Sequence, residues 1–431
     1  MLHKYQEAAY SRMRSSLGFH TFTIFLRLTE SEAIQLYKTF KECNFVRVRP
    51  RASDEKNKNT MPKGYFVEYL DKCVGISWYI RFSSEVAEYK QMSANHMSKN
   101  FMKEPTPYSV RATINPKILT GMNDYLSAAN ADILDETEEN YNTKVAEISP
   151  LLGKFEQYRL NRVDYCFNFD PVELNMGCDA IQLFALIKRG YIPRHFTLAT
   201  EYCKISKRWK PYKSDFRLNS NSMTISCYWK YAQLKDRFTD CPDLLMSRNV
   251  LRFEVKCYYP KVYAMSKSIK EALINHLPTA ELMQEMQYSD IVNPTKNLMS
   301  DSFNEAIIRK YFNKVIRKGD YFTLEGAEWM VKSHNFRQDK EERLLETLEL
   351  IKEHRGIVKA LSVLERDRLK EVKRSLKDLD AIFVNPVTIP SKWRIKHIPN
   401  PMRAYYNSIY EEQVVHVSKG LFIKRLAKYL N

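Results

Sequence analysis

The spacing of apolar and polar positions divides this chain into two regions of different character. Up to about residue 260, short runs of β-branched and aromatic residues predominate, the pattern of strands. The run from Phe19 to Arg27 is the first of them. Thr29 then stands where a helix cap belongs, ahead of apolar positions at Ala33, Leu36, Phe40 and Cys43. Tyr65–Leu70 and Val74–Phe82 read as two arms of a hairpin, and Tyr108–Ile114 as a strand closed by Asn115-Pro116. Lys117–Leu126 reads as a short helix, Asp132–Asn142 as an acidic loop or helix, and Cys178–Lys188 as an amphipathic helix. Further strands are expected at Leu160–Asp170, Met223–Trp229 and Val250–Tyr259, with a short helix over Tyr231–Phe238.

Beyond Pro260 the strand pattern fades. Leu345, Leu348, Ile351, Ile357, Val358, Leu361 and Leu364 keep roughly helical spacing, with Gly356 placed for a turn between helices. Residues 385–401 are rich in proline and read as an extended connector, and the C-terminal segment Lys419–Arg425 is basic. The fold class expected is α+β: an N-terminal antiparallel sheet with flanking helices over residues 1–262, then a mainly helical domain over 263–384. A connector and basic tail complete the chain over 385–431. No internal repeat is present.

Two of the expected strands carry an acid where a buried strand should have none. Asp164 sits within Leu160–Asp170, and Glu254 within Val250–Tyr259. A buried lone carboxylate is costly and needs a cation or a donor. Two such acids on neighbouring central strands would suit a hard divalent ion such as Mg2+ or Mn2+. The competing reading is structural, with Asp164 and Glu254 paired to Arg162 or Arg252. Asn168 and Asp170, just before Pro171, read as turn residues.

Composition narrows the partner. Among 431 residues, 68 Lys and Arg against 51 Asp and Glu give a formal net charge of +17, which favours an anionic partner, most commonly nucleic acid. No apolar run reaches transmembrane length and no cleavable signal peptide is evident, so a soluble cytoplasmic protein is expected. The 8 cysteines include no Cys-x-x-Cys pair, which excludes zinc-ribbon spacing. With 11 glycines and neither a P-loop nor a dinucleotide fingerprint, a nucleotide-hydrolysing or dinucleotide enzyme is not indicated.

Between the two acids lies Asn219–Asp236, which supplies Tyr228, Lys230, Tyr231 and Lys235. A polarised tyrosine can act as a covalent nucleophile, and a lysine can stabilise the charge that develops. Tyr231 and Lys235 are spaced to share one helical face, whereas Tyr228 belongs to the preceding strand, and Tyr212 is a further candidate. Tyr228 could equally be a core tyrosine with a satisfied hydroxyl. The stretch 202–213 interleaves Lys204, Lys207, Arg208, Lys210 and Lys213 with Trp209 and Tyr212, a composition suited to single-stranded DNA. Its plainer reading is a solvated basic loop. Arg47, Arg49 and Arg51 form a second basic patch. Thr323 is placed to cap a helix that would bury Trp329.

The ordered motifs Leu160-x-Arg-Val-Asp-Tyr165, Ile225-Ser-Cys-Tyr-Trp-Lys230 and Leu251-Arg-Phe-Glu-Val255 resemble the replication initiation proteins of rolling-circle plasmids and filamentous phages. Those proteins are related to the relaxases of conjugative elements. Ala112–Asn123, Lys318–Leu324 and Asn385–Pro390 extend the resemblance along most of the chain through short, degenerate motifs. It implies a metal-dependent nickase that joins a tyrosine to a 5′ phosphate and frees a 3′ hydroxyl for priming. On this resemblance Asp164 and Glu254 match the metal acids, and Tyr228 with Lys230 the Tyr-x-Lys segment. Arg162 and Arg252 would join the basic 202–213 stretch in meeting DNA. Single-stranded and duplex origin DNA, a host helicase and a polymerase are the implied partners. The chain departs from many such nickases in lacking a His-hydrophobic-His metal pair. Open alternatives are a conjugative relaxase and an origin-binding replication protein without catalysis.

Overall fold

The computed structural model describes residues 14–50, 64–71, 74–82, 108–122, 125–203, 207–237, 243–276 and 295–417. Its centre is a ten-stranded antiparallel sheet. The strands are β1 (Ser16–Arg27), β2 (Val46–Pro50), β3 (Gly64–Tyr69), β4 (Ile76–Phe82), β5 (Tyr108–Ile114) and β6 (Arg159–Phe169). They continue with β7 (Thr197–Leu198), then, after a separate hairpin of β8 (Thr200–Cys203) and β9 (Arg208–Pro211), with β10 (Asp215–Asn219), β11 (Met223–Trp229) and β12 (Leu251–Cys257). The spatial order is β2-β3-β4-β5-β1-β6-β12-β11-β10-β7. The two acid-bearing strands, β6 and β12, are therefore adjacent and central, and β11 with Tyr228 lies next to β12.

Register aligns the apolar positions of six strands into one row. Ile76 pairs with Ile114, Ile114 with Phe22, Phe22 with Val163, Val163 with Cys257 and Cys257 with Met223. Side chains alternate across a strand, so this row and its parallels all face one side. Helices cover that side. At one end α1 (Glu30–Glu42) sets Phe40 against Trp78 at 5.5 Å between ring centres. Its first turn is held by a reciprocal cap, Thr29 with Glu32, as the sequence pattern requires. At the sheet centre α2 (Asp301–Val315) places Phe312 5.2 Å from Phe253 and 5.9 Å from Phe167. Tyr405, on α3 (Pro401–Val417), also meets Phe167, and the Tyr165 hydroxyl donates to the Leu298 carbonyl. Edge-to-face and tilted aromatic pairs of this kind add about 0.5–1.5 kcal/mol each beyond buried area.

The α+β class and the antiparallel sheet agree with the sequence pattern, and several local elements differ. Against a helix expected over 117–126, the described helix is Pro116–Leu119, and Gly121 turns the chain at φ +77° just after it. The acidic stretch is helical over Leu134–Ala146. Val46–Pro50 and Asp215–Asn219 are strands the pattern did not mark, since alternating arginines and other polar residues mask them. Trp329 is 67% exposed rather than buried. Its helix, Leu324–Ser333, is capped by Thr323 but buries Ala327 and Val331, on the opposite face from position 329. Asn168 is no turn residue, being fully buried within β6. Asp170 does make the turn, accepting from the Val172 and Glu173 amides. Arg51, Lys204 and the basic segment 419–425 lie outside the described residues.

Candidate active site

The face of the sheet opposite α2 carries the polar alternates of the same strands. Register places Lys256 beside Asp164 and Thr224, Glu254 beside Cys166 and Ser226, and Arg252 beside Asn168 and Tyr228. Directly opposed residues in an antiparallel pair lie about 4.5–5.5 Å apart at Cβ, so these side chains must interact. Asp215 enters from β10, opposite Tyr228. On the other side β1 carries a bulge between Phe19 and Phe22, leaving His20 and Thr21 both opposite Asp164. A bulge re-aims a side chain. Here Thr21 Oγ1 donates to Asp164 Oδ2 at 2.6 Å.

A cavity of about 980 Å3 lies over this face. Its lining includes Arg162, Asp164, Tyr212, Tyr228, Glu254 and Lys256. Asp164 Oδ1 is 3.1 Å from Arg162 Nε, and Asp164 Oδ2 is 3.5 Å from Lys256 Nζ. Lys256 Nζ is also 3.6 Å from Glu254 Oε1. The Tyr228 hydroxyl donates to Glu254 Oε2 at 3.2 Å. At the cavity wall Asp215 pairs with Arg217, whose guanidinium lies 5.5 Å from the centre of the Tyr212 ring.

The two acids differ electrostatically although they share one cation. Burial raises the Asp164 pKa, only partly offset by Lys256 and Arg162. Burial works the same way on Glu254, but Lys256, Arg252, the Tyr228 hydroxyl and Lys230 together outweigh it and hold that carboxyl below its ordinary value. For Lys256, burial opposes the charge but Asp164 and Glu254 prevail, so its ammonium is held more firmly than usual. Burial, reinforced by the Glu254 charge, pushes the Tyr228 phenol well above its ordinary value. Beneath the cavity floor, burial and the Arg252 charge bring Lys230 well below the ordinary lysine range.

Several sequence-indicated residues meet here and others do not. Asp164, Glu254, Tyr228, Tyr212 and Arg162 share the cavity. Arg252, expected at a DNA surface, is fully buried and donates from Nε to Asn168 Oδ1 at 2.6 Å. Lys230 is likewise buried, donating to Gln233. Tyr231 turns away on helix α4 (Lys230–Arg237), packing on Trp229 at 5.2 Å, and Lys235 is exposed on the same helix. On the β8–β9 hairpin Trp209 and Tyr202 are 68% and 51% exposed and stand 5.7 Å apart, with Lys207 and Lys210 also exposed. Arg208 belongs to this hairpin, and Lys213 is exposed just beyond it. Lys256 and Thr21 were missed. The alternation Arg252-Glu254-Lys256 gave a signal for the lysine, since it puts all three on one face. Nothing local announces Thr21, which depends on the bulge.

A divalent ion between Asp164 and Glu254 would need oxygen ligands at about 2.0–2.1 Å if it were Mg2+. Lys256 stands in that place. Among the described residues no group of three or more His, Cys, Asp or Glu converges as a metal site. As placed, the residues do not fit Mg2+ or Mn2+. They form instead an ion-pair network, the structural alternative, although the partner is Lys256 as well as Arg162. Among the described residues, no helix is long and apolar enough to cross a membrane.

No protein-family model matches the sequence, and no curated protein is similar to it. Among solved structures, a rolling circle replication initiator protein from Geobacillus stearothermophilus matches 66% of this chain and 92% of its own, at 7% sequence identity and a TM-score of 0.27, a distant likeness.

Proposed function

We propose that this protein acts on DNA as a rolling-circle replication initiator, cutting one strand by transesterification to a tyrosine. The observation that carries the reading is the cavity over the central strands, where a tyrosine hydroxyl, its hydrogen-bonded carboxylate and two cations meet. Tyr228 is the nucleophile and Glu254 its proton acceptor, a pair already within hydrogen-bond reach. The phenolic oxygen forms a bond to phosphorus as the bond from phosphorus to the 3′ oxygen breaks. The phenolic proton passes to Glu254 and from there to the departing 3′ oxygen. The products are a 5′-phosphotyrosine and a free 3′ hydroxyl. Lys256 and Arg162 meet the charge on the phosphate oxygens. The exposed Trp209 and Tyr202, with the lysines around them, offer stacking and phosphate contacts to the unpaired strand.

The test is a denaturation-resistant adduct between the full chain and a randomised single-stranded DNA library, with Mg2+, with Mn2+ and with chelator. Mass mapping of the labelled peptide should return Tyr228, and Tyr228→Phe should lose the adduct. A label on Tyr212 would move the nucleophile to the cavity wall. Absence of any adduct in all conditions would remove the enzymatic reading. The second reading, an origin-binding protein without strand transfer, is favoured by the occupation of both acids by one lysine. It expects DNA binding without adduct.

A further inference from the structure

We propose that the ε-ammonium of Lys256 is a built-in replacement for a divalent cation in this cavity, and that its anionic ligand is a phosphodiester. The second clause rests on the DNA-acting reading above; the first does not. Lys256 reaches both acids at once, at 3.5 Å from Asp164 Oδ2 and 3.6 Å from Glu254 Oε1. Both acids are deeply buried, with side-chain exposures of 3% and 9%, whereas Lys256 is 28% exposed. All three side chains line the cavity, and Lys256 is the most exposed of them. Its backbone position is fixed by pairing with Asp164 on β6 and Thr224 on β11, so the stem of Lys256 rises from β12, two residues from Glu254 on the same strand face and directly across from Asp164. Asp164 Oδ2 also accepts from Thr21, Asp164 Oδ1 lies 3.1 Å from Arg162 Nε as an ion pair without a hydrogen bond, and the second oxygen of Glu254 accepts from Tyr228. A metal ion entering here would have to expel an ammonium from two carboxylates in a poorly solvated place. An anion approaching from the cavity meets that ammonium first, with the Arg162 guanidinium beside it. A point charge on a flexible stem is a competent phosphate binder.

The experiment titrates Mn2+ into the DNA-free full chain and follows bound metal by electron paramagnetic resonance. Wild type and Lys256→Arg should leave Mn2+ free. Lys256→Gln vacates the place between the acids and should bind Mn2+ more tightly by at least about tenfold. Asp164→Asn added to Lys256→Gln should abolish that gain. Wild type binding Mn2+ as tightly as Lys256→Gln, with loss of binding in Asp164→Asn, would overturn the replacement. Should Lys256→Gln fail to fold, wild type against Lys256→Arg and Asp164→Asn still decides the point. In parallel, oligothymidylate affinity at low salt should be insensitive to chelator in wild type and fall by roughly tenfold in Lys256→Gln but little in Lys256→Arg. Unchanged affinity in Lys256→Gln would refute the phosphodiester as its ligand. Neither readout depends on strand cleavage, so a missing covalent adduct would remove the transesterification reading and leave this one standing.

Discussion

The two faces of the central sheet are built from the same strands and share almost nothing else. On one, Val163, Tyr165, Phe167 and Phe169 of β6 and Leu251, Phe253, Val255 and Cys257 of β12 are covered by α2 and form a continuous apolar core. On the other, Arg162, Asp164, Arg252, Glu254 and Lys256 form a charge network under an open cavity. Successive side chains alternate, so neither face could be changed in register without destroying the other: a one-residue slip would drive the charges into the core. The apolar face fixes the register, and the register brings the acids and Lys256 together. The structural cost of the polar face is carried by its neighbour, which is why a buried cluster of opposite charges persists in the middle of a sheet.

The largest effect is expected on the apolar face. Phe253→Ala removes a fully buried ring that packs on Phe312 and should cost about 3–5 kcal/mol in urea unfolding. A loss below 1 kcal/mol, roughly that of a surface change, would mean the apolar face does not set the register. Next comes Glu254→Gln, which strips buried Arg252 and half-buried Lys256 of a counter-charge and should cost about 3 kcal/mol at neutral pH. Because the folded pKa of Glu254 is depressed, its stabilisation is fully present above the unfolded value of about 4.3 and is lost as pH falls through the folded value. The gap between wild type and Glu254→Gln should therefore close in acid, and a gap independent of pH would show that shape, not charge, is at stake.

Trp209→Ala sharpens the comparison from outside the sheet. Its stability should change by no more than about 0.5 kcal/mol, while oligothymidylate binding weakens by about 1–3 kcal/mol, measured by fluorescence anisotropy. Binding unchanged within error would return the hairpin to the solvated basic loop. The smallest effect belongs to Lys230→Met. With its folded pKa depressed, Lys230 binds fewer protons in the folded state than in the unfolded one between that value and about 10.4, so stability rises with pH across this window. The methionine variant should flatten that rise and gain about 1 kcal/mol at pH 7. A loss would identify Lys230 as a needed counter-ion of Glu254.

Much of the sheet was legible in the chain. Met223–Trp229 has the bounds that its pattern indicates, and Phe19–Arg27 lies wholly within β1. Asp164 and Glu254 stood out because a carboxylate in an apolar run is conspicuous whatever its partner. What stayed hidden was held by polar or short segments. The β8–β9 hairpin reads as a basic loop because the side chains described on it, Thr200, Glu201, Tyr202, Trp209, Lys210 and Pro211, are exposed, leaving no alternation to detect. Ordinary helical packing puts Trp329 inside, yet the helix buries Ala327 and Val331 instead. Arg252 and Arg162 look alike in sequence; one is buried beneath Asn168 and the other lines the cavity.

The sequence by itself determined that there would be an antiparallel sheet, which strands would carry an acid, and that the molecule would be strongly basic. These are properties of composition and of local periodicity, and local sterics and hydrophobicity settle them. Only the tertiary structure decided that β6 and β12 are neighbours, that a bulge in β1 turns Thr21 onto Asp164, and that Lys256 stands between the two acids. Those depend on pairing between strands far apart along the chain, with β6 and β12 partners separated by 82–94 positions from Phe169 with Leu251 to Val163 with Cys257, and no local pattern encodes which distant strand will be adjacent.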